Sequence, residues 1–178
     1  MAVAAFGIGA DADAQQRGDA EVEMEALLTR HAGSPWYSAA RPVMDSWTER
    51  LLAATDAAEM EQMMATVLPF YLAEPDKPDV AARLAELSQL MKADLAAGKA
   101  WEGGLYQSVD LRPMLGRITS PTLIVAGELD FICGPAQAEP IASAITGAQL
   151  VMLSGCGHIP SIEAPQEYRH AVMEFLRN

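Results

Sequence analysis

The hydrophobic pattern of the chain changes period once, near Pro121. From about Asp19 to Gly98 apolar residues recur at spacings of three and four, the mark of helices with one buried stripe. Val22, Met24, Leu27 and Leu28 mingle with Glu21, Glu23 and Glu25 in an amphipathic helix that ends before Gly33-Ser34-Pro35. Asp56 and Glu59 have the spacing of a capping box, after which Met60, Met63, Met64, Val67 and Leu68 fall on one stripe. A third long helix is expected from about Pro78, through Val80, Leu84, Leu87, Leu90, Met91 and Leu95, with Gly98 as its stop. No strand is expected before Pro121.

Beyond a short capped helix opened by Asp110, the texture becomes β. Thr122-Leu-Ile-Val-Ala126 is apolar throughout and bounded by Pro121 and Gly127, as a buried parallel strand should be. A helix follows from Pro135 to Ile145, with Pro in its first turn. Leu150-Val-Met-Leu153 reads as a second strand, and Pro165 to Leu176 as a closing helix that buries Tyr168, Val172, Phe175 and Leu176. The fold class is therefore α/β: an all-helical segment, then a β-α-β-α unit with a short parallel sheet. The expected divisions are a flexible N-terminus over 1–18, a helical segment over 19–105 and the α/β part over 106–178.

Each strand is followed by a residue fit for acid–base chemistry. Asp130 comes after Gly127-Glu128-Leu129, and His158 after Gly155-Cys156-Gly157, 28 residues later. Loops at the C-terminal edge of a parallel sheet are the usual place for a site. A serine hydroxyl needs an imidazole to take its proton and a carboxylate to fix and stabilise that imidazole, and His158 and Asp130 suit those two roles.

The nucleophile itself is missing. A strand-to-helix elbow would read G-x-S-x-G, and none of Ser34, Ser46, Ser88, Ser120, Ser154 and Ser161 has that context. The two thiols, Cys133 and Cys156, each lie close in sequence to a member of the acid–base pair rather than on a turn of their own, which argues against either as nucleophile. Glu163, five residues past the histidine, reads as a helix cap or loop brace rather than a reacting group. His31 and His170 read as surface or helix-end residues.

Composition narrows the partners. With 12 basic and 24 acidic residues the net charge is −12, which argues against nucleic acid or an anionic membrane surface. No run reaches the 18 or so apolar residues of a membrane span. The opening segment lacks the basic start of an export signal, and two cysteines make no disulfide framework, so the expected setting is a reducing cytoplasm.

Pro121-Thr-Leu-Ile-Val-Ala-Gly-Glu-Leu-Asp130 and Gly155-Cys-Gly-His158-Ile-Pro-Ser-Ile-Glu163-Ala-Pro165 together resemble the last two strands of an α/β-hydrolase. The acid-then-histidine order matches that family. Residues 19–105 then resemble the helical cap such enzymes insert before those strands. Pro35-Trp36-Tyr37 and Leu68-Pro69-Phe70-Tyr71 make the cap similar to that of proline iminopeptidase-like members. The resemblance implies the C-terminal half of a partial α/β-hydrolase fold, hydrolysis through an acyl-enzyme, Asp130 and His158 as catalytic acid and base, and no metal or organic cofactor. Trp36, Tyr37, Phe70 and Tyr71 are candidates to line a substrate pocket under that cap, for a small molecule or short peptide, although aromatics at helical spacing are more often core. For the peptidase version, Glu59, Glu61, Glu74 and Asp76 are loose candidates to receive a substrate amine.

Without nucleophile and oxyanion donors, the chain is expected to be inactive alone. Two strands also leave unpaired edges, so a complementary N-terminal hydrolase half or a second copy of the chain is the expected partner. The alternative is a non-catalytic module, derived from the same fold, that binds a protein or dimerises. A self-sufficient enzyme using Cys133 is a third reading.

Overall fold

The computed structural model describes Val22, residues 24–105 and residues 110–177. The expected flexible stretch over 1–18 lies outside the described residues. Two compact units are formed, one from Glu25–Phe70 with the chain beyond Pro75, the other from Tyr71–Glu74 with the chain from Asp110 onward.

The first unit is wholly helical among the described residues. After a helical stretch over 24–29 come α1 (Tyr37–Asp45), α2 (Trp47–Ala53), α3 (Ala57–Val67), a 3-10 turn (Leu68–Tyr71), α4 (Pro78–Leu90) and α5 (Leu95–Ala100). Its core is Ala40, Leu51, Val67, Leu68, Phe70 and Val80, all buried. The start of α3 is set by Asp56, whose side chain accepts the Glu59 N–H at 3.0 Å, while Glu59 turns back to accept the Thr55 N–H at 2.6 Å. Orphan donors at the helix start are thus met by two acidic side chains.

The single helix expected from Pro78 to Gly98 is in fact two helices, because Met91 is extended (φ −68°, ψ 131°) and Asp94 caps a new start by accepting the Ala97 N–H at 3.0 Å. The break is supported from α3, where Glu61 Oε1 accepts the Ala93 N–H at 3.2 Å. Gly98 is accordingly inside α5. It is small because a Cβ there would come within 2.9 Å of the Met60 side chain, a close packing rather than a stop.

In the second unit Asp110 opens a 3-10 turn (Arg112–Arg117) by accepting the Arg112 N–H at 3.0 Å. Then follow β1 (Leu123–Gly127), α6 (Pro135–Ala144), β2 (Gln149–Leu153), the short α7 (Pro160–Glu163) and α8 (Pro165–Phe175). β1 and β2 pair in parallel, from Leu123 opposite Gln149 to Gly127 opposite Leu153. Both α6 and α8 pack on both strands, and of the strand residues Ala126, Gly127 and Leu153 are buried while the other apolar ones are half-buried. Among the described residues the sheet has these two strands alone, so each keeps one edge without a ladder partner.

Candidate active site

Asp130 is carried by the turn that follows β1, and local geometry fixes it there. Its Oδ1 accepts the N–H groups of Ile132 at 2.8 Å and Cys133 at 3.0 Å, closing an Asx-type turn. Gly134 completes that turn, since a Cβ there would run into the Asp130 carbonyl oxygen, and Pro135 then starts α6. Asp130 is only 6% exposed, so its second oxygen needs a partner.

His158 supplies it. Nδ1 of the imidazole lies 2.8 Å from Asp130 Oδ2. A carboxylate accepts, so Nδ1 carries the proton and Nε2 is left as the basic nitrogen. The His158 side chain is 28% exposed, and among the described residues nothing hydrogen-bonds Nε2. The imidazole is thus held at Nδ1 by a buried carboxylate while its side chain stays partly exposed.

Two further ties hold the loops of this pair. Glu128, after β1, accepts the Ser154 hydroxyl at 2.6 Å and the Gly155 N–H at 3.1 Å, and these bonds hold its carboxyl below the usual range. Gly155 takes a left-handed φ of 65°, which a glycine adopts without strain. On the other side, the His158 N–H donates to the Tyr71 carbonyl at 2.6 Å, and the Tyr71 ring meets the imidazole edge-on at 5.5 Å and Phe131 at 5.3 Å. Glu163 accepts the Gly157 N–H at 2.8 Å and the Ala73 N–H at 2.6 Å, which makes it a loop brace.

The four aromatic candidates are divided between the two units. Trp36, Tyr37 and Phe70 cluster in the helical unit with His31, at ring separations of 5.0 Å for Trp36–Phe70 and 5.7 Å for Tyr37–Phe70. Phe70 is 1% exposed and therefore core, with no face for a substrate. Tyr71, in the other unit, stands against the histidine. His31, expected as a surface or helix-end residue, lies in the turn that ends the helix over 24–29 and is buried there, packed against Trp36 and Phe70. The acidic candidates of the helical unit have structural employment: Asp76 accepts Ser34 Oγ at 2.7 Å and Trp36 Nε1 at 3.0 Å, and Glu59 and Glu61 hold helix starts. A cavity of about 140 Å³ also lies in this unit, lined by Met60, Met64, Leu68 and Met91 with Glu61 and Ser88. No local pattern signals it, because its walls come from helices that meet only in the folded unit.

The thiols are poorly suited to attack. Burial, with Asp130 beside it, pushes Cys133 up to about 11. Burial, with Glu163 nearby, pushes Cys156 up to about 12. The thiolate is the nucleophile, so both environments act in the wrong direction. Asp130, Cys133 and His158 do offer ligand atoms within 4.8 Å of one another, as a cation would require. The acid's Oδ1 already holds two N–H groups and its Oδ2 the imidazole, so this donor set is spent on orienting the base.

A parallel β-α-β unit here sets an acid after one strand and, hydrogen-bonded to it, a histidine after the next. A family model described as the alpha/beta hydrolase fold matches residues 24–165, and the chain belongs to that family. The 3-oxoadipate enol-lactonase 2 of Acinetobacter baylyi is 34% identical over 109 residues, covering 57% of this chain and 37% of that protein. The crystal structure of the enol-lactonase from Burkholderia xenovorans LB400 superposes with a TM-score of 0.59 at 26% identity, covering 75% of this chain and 51% of that one. Proline iminopeptidase of Thermoplasma volcanium is 33% identical over 73 residues, 41% of this chain and 24% of that protein. The chain thus spans about half or less of the length of each of these relatives. No helix among the described residues is long and apolar enough to cross a membrane.

Proposed function

We propose that the chain supplies the acid and the base of an ester-hydrolysing serine hydrolase whose nucleophile and oxyanion donors lie outside these 178 residues. The observation that carries this reading is the 2.8 Å contact of His158 Nδ1 with Asp130 Oδ2, with Nε2 left open. His158 takes the proton of an incoming serine hydroxyl, the alkoxide attacks the ester carbonyl, and His158 then returns the proton to the departing alcohol. Asp130 holds the tautomer and stabilises the imidazolium in between. Water repeats the sequence to release the acid. Esters and lactones are favoured over peptides because enol-lactonases are among the similar proteins, and because Glu59, Glu61 and Asp76 are engaged within the helical unit. Residues 19–105 have the role of a cap, and Tyr71 stands beside the base.

The partner is a complementary hydrolase half that adds a strand to an open edge of the β1–β2 sheet and brings the G-x-S-x-G elbow with it. The test is hydrolysis of short-chain p-nitrophenyl esters and enol-lactones by this chain alone and after coexpression with such a half. Activity that needs both pieces and vanishes in His158→Ala supports the reading. Turnover by the chain alone, blocked by thiol reagents, overturns it. A stable but inert homodimer would favour the non-catalytic binding module.

A further inference from the structure

Glu163 has no part in the proton transfers above, yet its carboxylate stands where two backbone segments meet. Oε1 accepts the Gly157 N–H at 2.8 Å and Oε2 the Ala73 N–H at 2.6 Å. Beside these, the His158 N–H donates directly to the Tyr71 carbonyl at 2.6 Å. A peptide hydrogen bond and a side chain in the place of a carbonyl therefore both tie the segment over 71–74 to the histidine loop. The two N–H groups come from separate segments, and the carboxylate meets each with a different oxygen, as charge-assisted hydrogen bonds. Gly157 completes the fit, because a Cβ there would meet the Tyr71 carbonyl, Ala73 N at 2.9 Å and Glu163 Oε1 at 2.9 Å.

We propose that Glu163 is a positioning residue for His158: by pinning the peptide N–H just before the histidine to that of Ala73, it sets the imidazole against Asp130. The inference rests on the roles proposed for Asp130 and His158, but its geometry can be read in the chain by itself. Glu163→Gln keeps the size, leaves one oxygen and turns an NH2 toward the second N–H. In a 15N-labelled sample, amide exchange at Ala73 and Gly157 should accelerate roughly tenfold to a hundredfold, as loss of a charge-assisted bond implies. The downfield Nδ1–H signal of His158 should broaden, while exchange along β1 and β2 stays unchanged. A sharp, unshifted His158 signal in folded Glu163→Gln overturns the proposal, because a merely stabilising brace would leave it so. If that variant does not fold, Glu163→Asp, which keeps charge and both oxygens but draws them back by one methylene, is read in the same two ways. Failure of hydrolysis after coexpression leaves these signals in place and counts against the proposed function alone. Absence of the Nδ1–H signal from the unaltered chain would remove the acid–histidine pair and this inference together.

Discussion

The Ser154 hydroxyl donates a hydrogen bond to Glu128 Oε2 at 2.6 Å, joining the turn after β2 to the turn after β1. With the Gly155 N–H as second donor, the folded state favours the carboxylate and its carboxyl titrates below the usual 4.5. A depressed carboxyl contributes stability above its unfolded value and loses it as pH falls through the folded one. Glu128→Gln should therefore lower Tm more at neutral pH than at about pH 3, the gap to the unaltered chain closing with acid. Thermal melts across that range check it. An unchanging gap would mean that these bonds do not track ionisation.

Asp130 and His158 should respond unequally in a complemented enzyme. His158→Ala removes the base and abolishes turnover. Asp130→Asn, which offers an amide where the Nδ1–H needs an acceptor, should cost on the order of 10⁴ in kcat with a smaller change in KM. Steady-state kinetics with an activated ester decides. A modest effect of Asp130→Asn would place the orienting acid elsewhere.

Cys133 and Cys156 should alkylate slowly near neutral pH. Their thiols are pushed up to about 11 and about 12, so the rate with iodoacetamide should keep climbing well above the ordinary thiol range. Cys133 should lead, because Cys156 is 1% exposed. Fast labelling of either at pH 7 in the folded chain would revive a cysteine nucleophile.

Gly127→Ala should be among the most damaging single-methyl additions in the second unit. A Cβ at Gly127 would run into the carbonyl oxygens of Cys156 and Gly157, which are backbone and cannot rotate away. The expected loss is about 3 kcal/mol, by urea unfolding, in the range of overpacking that forces a backbone shift. Gly33→Ala, where a Cβ meets nothing within 4 Å, is the control.

The stretches that carry their own signal are legible in the residues themselves. An unbroken apolar run bounded by Pro121 and Gly127 has few ways to be satisfied except as a strand, and the strand is found at Leu123–Gly127, buried at Ala126 and Gly127 and half-buried before them. Asp56 and Glu59 likewise announce the start of α3, because capping is settled within one turn of chain. The break at Met91 is hidden from periodicity, because a stripe at spacings of three and four continues through it once a new cap, here Asp94, restarts the helix in phase.

Sequence alone determined the α/β class, the two strands, and the identity of an acid and a histidine on the loops after them, since each rests on local pattern and short-range chemistry. Only tertiary structure decided which groups meet. The 2.8 Å approach of Asp130 to His158 is closed by parallel pairing of strands 26 residues apart in register. The burial of His31 and Phe70 depends on aromatic neighbours gathered from separate helices. The bond from Ala73 to Glu163 spans 90 residues, and no periodicity encodes it. Contacts at such separations form only when the whole chain has paid the entropy of bringing them together, so they belong to the fold rather than to any segment of it.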